Sequence, residues 1–356
     1  MRSFVDLDRT FSGQPARLGA VLARVDTGRG KEYLSKTQLP ELLTALGAET
    51  RIMSITASSA IEGVVVEQSW AERIIAAPAG TARRFRNRNE RELAGYRDAI
   101  DEMMRIERFD EVVSVAWLSH VHRSLFGHLE SGGGQLKSDP NFIVSFEHGR
   151  REIVFEPPSP KQTPFLLSEL CSRYEAARAA QAAHPLVLIG AFVLDFLAIH
   201  PFTDGNGRVA RLVTTYLLMQ AGYGVPRYVS VEQRIFETKN IYYDVLVASQ
   251  DGWQEGAHDI WPWISYLVSV LSDSYDRFEE LLAARDDTGL SKQKRVRRYA
   301  LEQAPASFSI AEVRRALPGV SDETIRLVLT ELKAAGQVEP TGRGRSARWQ
   351  RLGRVG

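Results

Sequence analysis

Hydrophobic residues recur at helical spacing along most of the chain, and short polar, glycine or proline segments separate the helical stretches. Between about residues 32 and 76 the pattern predicts two or three helices. From Leu186 to Ile199 the chain is apolar on almost every side, which is typical of a helix buried among other helices. The spacing therefore predicts a mostly α fold.

Two segments depart from the helical pattern and help to divide the chain. The runs NFIVSF and EIVFE precede three prolines at residues 157–160 and predict a β-hairpin inside the helical part. After residue 290 the chain becomes basic and predicts three helices followed by two short strands, the order of a winged helix-turn-helix. We expect an N-terminal helical region at 1–95, a central helical domain at 96–285 and this C-terminal module at 290–356.

The predicted winged helix has two candidate roles. Ser321 or Asp322 can begin its third helix, and Gly336 can end it. Phosphate contacts could come from four arginines, Arg326, Arg343, Arg345 and Arg348, whereas three glutamates, Glu323, Glu331 and Glu339, weaken the basic surface. Both DNA binding and packing against another protein stay open.

Composition limits the classes of protein to consider. The 356 residues include 45 Lys and Arg against 44 Asp and Glu, a formal net charge of +1, so any DNA contact must come from a local patch. The single cysteine, Cys171, excludes an intramolecular disulfide and suits a reducing compartment. The first residues lack the apolar core of a signal peptide, and the longest apolar run is too short to span a bilayer. We therefore expect a cytoplasmic protein without a membrane segment.

The segment HPFTDGNGRVAR, residues 200–211, concentrates polar chemistry directly after the buried apolar run. Gly205, Asn206 and Gly207 precede a predicted helix, where small residues allow a tight turn and backbone N–H groups can bind an anion. Arg208 and Arg211 are three residues apart and can hold successive phosphates. The segment therefore predicts a polyphosphate site.

Two further side chains indicate what happens at that site. Asp204 is a hard oxygen ligand of the kind that holds Mg²⁺ between phosphates. His200 can take a proton from an incoming hydroxyl. A lone histidine or a GNG turn is commonly structural. A base, a carboxylate, a small-residue turn and two arginines in one loop are not explained by packing, so we interpret the segment as catalytic.

The same segment resembles the signature of the Fic (filamentation induced by cAMP) family, His-x-Phe-x-Asp/Glu-Gly-Asn-Gly-Arg-x-x-Arg, at every fixed position. The predicted hairpin resembles the family's target-docking flap, at Ile153, Val154 and Phe155. NIYYDVLVASQDG resembles the family's segment beside the adenine, with Tyr243 the better candidate. The resemblance covers about residues 30–270 and implies a Fic-type helical bundle.

The resemblance also implies an activity, the transfer of AMP from ATP to a Ser, Thr or Tyr hydroxyl of a protein. It assigns proton abstraction to His200, Mg²⁺ binding to Asp204, and the anion hole and phosphate clamps to a shared set: Gly205, Asn206, Gly207, Arg208 and Arg211. In one place the chain departs from the family pattern, because a lysine, Lys137, stands near where an arginine is expected.

Upstream, SSAIEG resembles the inhibitory helix of one Fic class. Ser58 and Glu62 are four residues apart and lie on one helix face, and Gly63 reads as a helix end. The resemblance implies that Glu62 neutralises Arg211 through a bidentate pair and so keeps ATP from a productive pose. In an arbitrary protein the same letters would indicate an ordinary solvated helix.

Several alternatives stay open. The protein could be a transcriptional regulator in which a Fic-like domain senses a nucleotide, or an enzyme that moves a group other than AMP. Glu62 could also assist the removal of AMP, and the chain could form a homodimer. His120, His122 and His128 do not have the spacing of a metal site.

Overall fold

The computed structural model describes residues 2–77, 85–105, 111–147, 150–285, 292–342 and 348–352. By their internal contacts the residues fall into two compact units, Met1–Glu280 and Leu281–Gly356. The boundary expected at residue 95 stays a prediction. No helix in the described ranges is long and apolar enough to cross a membrane.

The first unit is built from helices, which confirms the mostly α fold. Short 3-10 turns occur at Arg2–Phe4 and Val225–Arg227. The α-helices, in chain order, are α1 (Leu7–Ser12), α2 (Ala16–Gln38), α3 (Pro40–Ile61), α4 (Gln68–Ala76), α5 (Arg88–Met104), α6 (Val115–Leu125), α7 (Thr163–Ala179), α8 (Pro185–Ile199), α9 (Asn206–Gln220), α10 (Val231–Glu237), α11 (Lys239–Gln250) and α12 (Trp261–Arg285).

Helix α8 is the centre of this unit. All its residues from Leu186 to Ile199 are buried, because an apolar surface on every side can be covered only by surrounding elements. The helix starts at Pro185, where the fixed φ of proline suits a first turn, and His184 accepts a hydrogen bond from the Leu186 N–H. It ends where His200 takes a left-handed conformation, φ 50°. The buried helix thus fixes the position at which the polar segment 200–211 begins.

The β-hairpin lies where the sequence predicts it. Strands β1 (Ile143–Glu147) and β2 (Arg150–Phe155) pair antiparallel, with Ile143 opposite Phe155 and an irregular register between Ile143 and Val144. Of the three flap residues, Ile153 is 61% exposed, and Val154 and Phe155 are partly buried. Strand β2 packs beside α11.

The second unit has its own apolar core. Its elements are α13 (Lys292–Arg298), a π-helical turn (Tyr299–Gln303), β3 (Ser307–Phe308), α14 (Ile310–Ala316), α15 (Asp322–Ala334), β4 (Val338–Thr341) and β5 (Arg348–Arg351). The strand order is β3-β5-β4, and the sequence pattern did not predict the two-residue strand β3. Ser321 caps α15 by accepting from the Thr324 N–H, as expected. The order of helices matches the predicted winged helix, whose assignment stays a prediction; Arg343 and Arg345 lie outside the described residues.

Candidate functional site

The candidate site is the loop between α8 and α9, and His200 stands at its start. Its Nδ1–H donates to the backbone oxygen of Leu197 at 3.2 Å, which leaves the lone pair on Nε2 for a proton. Burial lowers the pKa of His200 from 6.5 to about 4; the bond to Leu197 opposes this shift, and the charge of Lys137 adds to it. The imidazole is therefore neutral near pH 7 and can act as a base.

Asn206 closes the loop. Its Oδ1 accepts from the Phe202 N–H at 2.9 Å, and its Nδ2 donates to the Phe202 oxygen at 2.7 Å. Asn206 is buried, so the Phe202 N–H depends on this side chain instead of water, and the Phe202 oxygen is shared between Asn206 and Asn141. Asn206 therefore shapes the loop from its first helical position.

We predict that Asn206→Ala lowers the free energy of unfolding by about 2 kcal/mol, because the buried Phe202 N–H loses its partner and the Phe202 oxygen keeps only its bond from Asn141. Urea denaturation followed by circular dichroism measures the change. As a matched control, Asn89→Ala removes one exposed hydrogen bond, to the Val65 oxygen, and should cost about 0.5 kcal/mol or less. Equal effects of the two substitutions would contradict the role given to Asn206.

Two residues that the sequence analysis did not assign hold the loop from the opposite side. The Asn141 Nδ2 donates to the oxygens of His200 and Phe202, at 3.1 and 2.9 Å. The Lys137 Nζ donates to Asn141 Oδ1 at 2.8 Å and to the Ile199 oxygen at 3.0 Å. Burial lowers the pKa of Lys137 to about 8. At the position where the family pattern suggests an arginine, Lys137 supports the end of α8.

His122 is a third supporting residue. Its Nδ1 accepts from the Gly134 N–H at 2.7 Å, so the proton lies on Nε2, which donates to the Asp204 oxygen at 3.0 Å. The ring stacks on Phe202 with centroids 3.9 Å apart. Burial lowers its pKa to about 4, which keeps the ring neutral. His122 thus fixes the backbone at Asp204, and no spacing rule marks it because its partners are 12 and 82 residues away.

Gly205 and Gly207 have no side chain, and other side chains pack directly against their backbone. Gly205 has φ 80°, and a Cβ there would lie 2.6 Å from the ring of Phe126, so only glycine fits without strain. At Gly207 a Cβ would lie 2.3 Å from Oε1 of Glu62. A carboxylate therefore sits against the first turn of α9, where the helix dipole and free N–H groups favour an anion.

The two arginines of the motif are buried and bind different carboxylates. Arg208 Nη1 donates to Glu92 Oε2 at 2.7 Å, and its guanidinium lies 5.4 Å from the centre of the Phe126 ring. Arg211 Nη2 donates to Glu62 Oε1 at 2.9 Å. The first partner is on α5 and the second at the end of α3. Both predicted phosphate clamps are thus held by acids of the chain itself.

Arg211 is also held by Ser58. Its Nε donates to Ser58 Oγ at 2.8 Å, and its Nη2 donates to the Ser58 oxygen at 3.0 Å. Glu62 is the C-cap of α3 and Gly63 follows with φ 77°, as expected of a helix end. Burial is the largest single influence and lowers the pKa of Arg211, but the charge and hydrogen bond of Glu62, together with Tyr242 and Tyr96, outweigh it, so the pKa is raised overall.

One expectation about this contact is wrong in detail. The pair is not bidentate, because a single guanidinium nitrogen reaches the Glu62 carboxylate. Arg211 Nη1 is buried and has no hydrogen-bond partner within the described part of the chain. The reason is that Ser58 accepts the hydrogen bond from Nε, so this edge of the guanidinium is not available to Glu62.

Asp204 is the most exposed acid of the site, with 52% of its side chain accessible. Its Oδ2 accepts from Arg88 Nη2 at 3.1 Å, and its Oδ1 lies 3.7 Å from Arg208 Nη2. Arg88 also binds Glu92, so these four residues form an alternating chain of charges. The carboxylate of Asp204, which the sequence predicts to bind a metal ion, is thus paired with the guanidinium of Arg88.

Tyr243 lies near the contact between Glu62 and Arg211, which the sequence predicts to be inhibitory. Its hydroxyl donates to the Ile61 oxygen at 3.4 Å, and the residue is 41% exposed. Its neighbour Tyr242 is buried, and the two rings meet edge to face at 5.2 Å. Tyr243 is therefore the accessible one of the two, which is the property that an adenine contact needs; the role itself stays a prediction.

The helices and the loop at 200–211 have the arrangement expected from the family resemblance, and a family model matches the same part of the chain. Residues 112–218 match the model of the Fic/DOC family. They include the hairpin, α8, the loop and nearly all of α9, and form a Fic/DOC domain, which confirms the predicted resemblance. Ser58 and Glu62 lie outside this matched segment.

Among curated relatives, the chain is 27% identical over 173 residues to the protein adenylyltransferase Fic of Culex quinquefasciatus, which is 48% of this chain and 30% of that protein. It is 25% identical over 170 residues to the protein of the same name from Aedes aegypti. The matched part is thus less than a third of the length of these relatives.

Among solved structures, a Fic family protein from Desulfovibrio desulfuricans G20 superposes with a TM-score of 0.66 at 21% identity, covering 96% of this chain and 98% of that one. A Fic domain containing signaling protein from Bacteroides thetaiotaomicron gives a TM-score of 0.59 at 20% identity, covering 72% and 97%. At these identities the likeness shows the fold alone.

Proposed function

We propose that the protein is a self-inhibited protein adenylyltransferase, which transfers AMP from ATP to a hydroxyl group of a protein. The observation that carries the proposal is the contact of Glu62 and Ser58 with Arg211 beside the anion-binding turn of α9. The Glu62 carboxylate lies against Arg211 and Gly207, where a phosphate of the nucleotide would have to bind. The curated relatives that carry the name protein adenylyltransferase support the same reaction.

In the proposed reaction His200 is the general base. Its Nε2 takes the proton of the incoming hydroxyl while the hydroxyl oxygen forms a bond to the α-phosphorus of ATP. The bond from the α-phosphorus to the bridging oxygen breaks, and pyrophosphate leaves with the electron pair. The Leu197 oxygen, which accepts from Nδ1–H, stabilises the imidazolium that forms.

The first turn of α9 would bind the phosphates. Asn206 and Gly207 present backbone N–H groups there, whereas the Gly205 N–H donates to Asp204 Oδ1 at 2.6 Å, and the small residues let a phosphate approach closely. Arg208 and Arg211 add positive charge within a buried site, where charge is worth more than in water. Because Glu62 already neutralises Arg211, a nucleotide phosphate must displace this carboxylate to gain the full interaction.

The donor set at Asp204 fits Mg²⁺. A half-exposed carboxylate beside a phosphate site supplies the one protein ligand that this ion commonly takes with nucleotides. The described residues contain no group of three or more His, Cys, Asp or Glu side chains that could hold a metal by themselves. Bound Mg²⁺ would supply charge neutralisation at the phosphates. Arg88 holds the Asp204 carboxylate in place beside that position.

The acceptor protein would dock on the hairpin. Ile153 exposes an apolar side chain on β2, and an edge strand can add a segment of the target through backbone hydrogen bonds. Such pairing reads little side-chain identity, so Ser, Thr and Tyr hydroxyls are all candidate acceptors, including those of the chain itself. Removal of AMP by the same site, with Glu62 orienting water, is a variant of this proposal.

The reaction is tested with ATP labelled in one phosphate at a time. Label in the α-phosphate should appear on protein, and label in the γ-phosphate should not, because pyrophosphate leaves. Unlabelled UTP should compete weakly. Transfer of γ-label would contradict AMP transfer and indicate a phosphoryl transfer instead.

A pH profile should show the unusual state of His200. Because burial lowers its pKa to about 4, the acid limb of kcat/KM for an active variant should lie well below the ordinary histidine value of 6.5. Bound ATP brings negative charge that favours the imidazolium, so the acid limb of kcat should lie at higher pH. Steady-state rates across this range measure both, and a kcat/KM limb at pH 6.5 or above would contradict the assignment.

The regulator alternative has less support. On α15, Arg326 and Lys333 are exposed together with Glu323 and Glu331, which nearly balances the charge of that surface. Arg314 binds Asp322, and Arg348 binds Glu312 and Ser307. DNA binding by this unit stays a prediction, which a gel-shift with genomic fragments tests.

A further inference from the structure

Asp195 is the one charged residue of helix α8, and it is fully buried. Its Oδ1 accepts from Ser3 Oγ and from Trp253 Nε1, each at 2.7 Å, and its Oδ2 accepts from the Ser3 N–H at 3.1 Å. A carboxylate in an apolar interior costs free energy unless donors satisfy it, so these bonds fix the place of each donor. The proposed reaction uses neither Asp195 nor Trp253.

Trp253 joins this buried acid to the hairpin. Its side chain is 1% exposed, and its ring meets the Phe155 ring edge to face, with centroids 6.4 Å apart and planes at 76°. Phe155 is the last residue of β2, the strand on which we expect the acceptor protein to dock. The indole N–H of Trp253 is thus tied to α8, and its ring contacts the end of the docking strand.

The turn that carries Trp253 makes a second contact at the same end of the hairpin. Gln254 Nε2 donates to the oxygen of Glu156, the residue after β2, at 2.9 Å. Backbone bonds close the turn, because the Trp253 N–H donates to the Gln250 oxygen at 3.0 Å and the Gly256 N–H donates to the Trp253 oxygen at 3.1 Å. The turn therefore holds Trp253 and Gln254 in a fixed relation to each other.

Helix α8 also sets the place of the proposed general base. Asp195 lies five residues before His200, which corresponds to about 7.5 Å along a helix axis. The end of β2 and the imidazole are therefore both placed relative to one buried helix. The distance from a hydroxyl docked on β2 to His200 Nε2 then depends on Trp253, and an error of about 1 Å in such a distance can lower a rate about 100-fold.

We propose that Trp253 is a positioning residue for the protein acceptor. Anchored on Asp195 and supported by Gln254, it holds the end of β2 at the distance from His200 that transfer to a docked hydroxyl requires. The catalytic part of this inference rests on the proposed function, whereas the mechanical link between Trp253 and the hairpin does not.

Water is an acceptor that does not need the hairpin. In that reaction the water oxygen forms a bond to the α-phosphorus, its proton passes to His200 Nε2, and pyrophosphate leaves, so that free AMP is formed. Loss of a positioning residue for the protein acceptor should therefore lower transfer to protein and leave the release of AMP unchanged.

The mechanical link is tested by amide hydrogen exchange. Trp253→Phe removes the indole N–H and should speed exchange of β1 and β2 by about fivefold or more, while exchange of α9 stays unchanged. Trp263→Phe is the matched control. Trp263 is also buried and also donates from Nε1 to α8, to the Gly190 oxygen at 2.9 Å, but its ring packs against Tyr242. It should leave exchange of the hairpin unchanged.

A second substitution keeps the test decisive if Trp253→Phe does not fold. Gln254 is exposed, so Gln254→Ala removes the amide that binds Glu156 without opening the interior, and should speed exchange at the end of β2 by about twofold or more. Gln68→Ala is its control, because it removes an exposed amide that binds Glu72 on α4. Unchanged hairpin exchange in the folded test variants, or an equal rise in their controls, would overturn the link.

The catalytic part is tested in the Glu62→Gly background with α-labelled ATP, by measuring label on protein and label released as AMP in the same reaction. Trp253→Phe should lower protein labelling by about tenfold or more, and Gln254→Ala by less, while AMP release and the calorimetric affinity for ATP stay unchanged. Trp263→Phe should change neither product.

Protein labelling that stays unchanged, or that falls together with AMP release or with the affinity for ATP, would overturn the positioning role. Absence of both products from Glu62→Gly itself would instead refute the proposed function, and the exchange result would stand by itself.

Discussion

Replacement of Glu62 by glycine is expected to raise the transfer of AMP by about 10- to 100-fold. Glu62 accepts a charge-assisted hydrogen bond from Arg211 at 2.9 Å, and such bonds contribute about 1.5–3 kcal/mol. A phosphate must replace this bond before Arg211 can hold it, and each 1.4 kcal/mol is about a tenfold change in rate. Incorporation of α-labelled ATP into the protein itself and into lysate proteins measures the effect.

The control for this substitution is Glu72→Gln. Glu72 is an exposed acid on α4 that accepts a hydrogen bond from the Gln68 amide, so its replacement changes the net charge without affecting Arg211. Its activity should equal that of the wild type. A rate for Glu62→Gly no higher than the wild type under saturating Mg-ATP would refute inhibition by Glu62.

In the proposed mechanism, the Ser58 contacts explain why a nucleotide would displace Glu62 and not Ser58. Ser58 binds Arg211 through a hydroxyl and a backbone oxygen, both neutral, and is itself fully buried. Glu62 is 31% exposed and negative, like the phosphate that competes with it. The structure thus combines a fixed neutral anchor with an exchangeable acid on one arginine.

Replacement of His200 by alanine in the Glu62→Gly background is expected to lower AMP transfer by about 100-fold or more. General bases contribute about 10²- to 10⁴-fold, and we assign no other described side chain of this loop to that task. Binding of ATP should persist, because the first turn of α9 and the two arginines are unchanged. Rate measurements and calorimetric titration with ATP separate the two effects.

His120→Ala is the matched control for this experiment. His120 also pairs with an acid, Glu102 at 2.8 Å, but it is exposed on α6 and far along the chain from the loop. It should leave transfer unchanged. Loss of ATP binding together with activity in His200→Ala would show that His200 holds the loop instead of acting as base.

The parts of the site that lie within one short segment could be predicted from the sequence. Residues 200–211 contain a helix end, a glycine turn and a helix start, and local backbone rules relate such neighbours directly. The same holds for Ser58, Glu62 and Gly63, which share the last turn of α3. Arg211 lies 149 residues from Glu62, so local rules could not predict their contact. Only the family resemblance predicted it, and the structure shows the hydrogen bond.

The supporting residues could not be predicted. Lys137 reaches Ile199 across 62 residues, His122 reaches Asp204 across 82, and Glu92 reaches Arg208 across 116. Patterns of hydrophobicity and spacing describe residues within a few turns of each other, so they carry no information on which distant polar groups meet. For the same reason the two-residue strand β3 was not predicted, because Phe308 pairs with Trp349, which lies far along the chain.

By itself, the sequence determined the helical fold and the hairpin, because each rests on local propensity. It also predicted the chemistry of residues 200–211 and an inhibitory role for residues 58–63, because each of these lies in a contiguous motif. The tertiary structure alone decided that both arginines bind acids of the chain and that the contact with Glu62 uses one nitrogen. Those features depend on where helices distant in sequence come together, and burial then fixes the hydrogen bonds and charges that result.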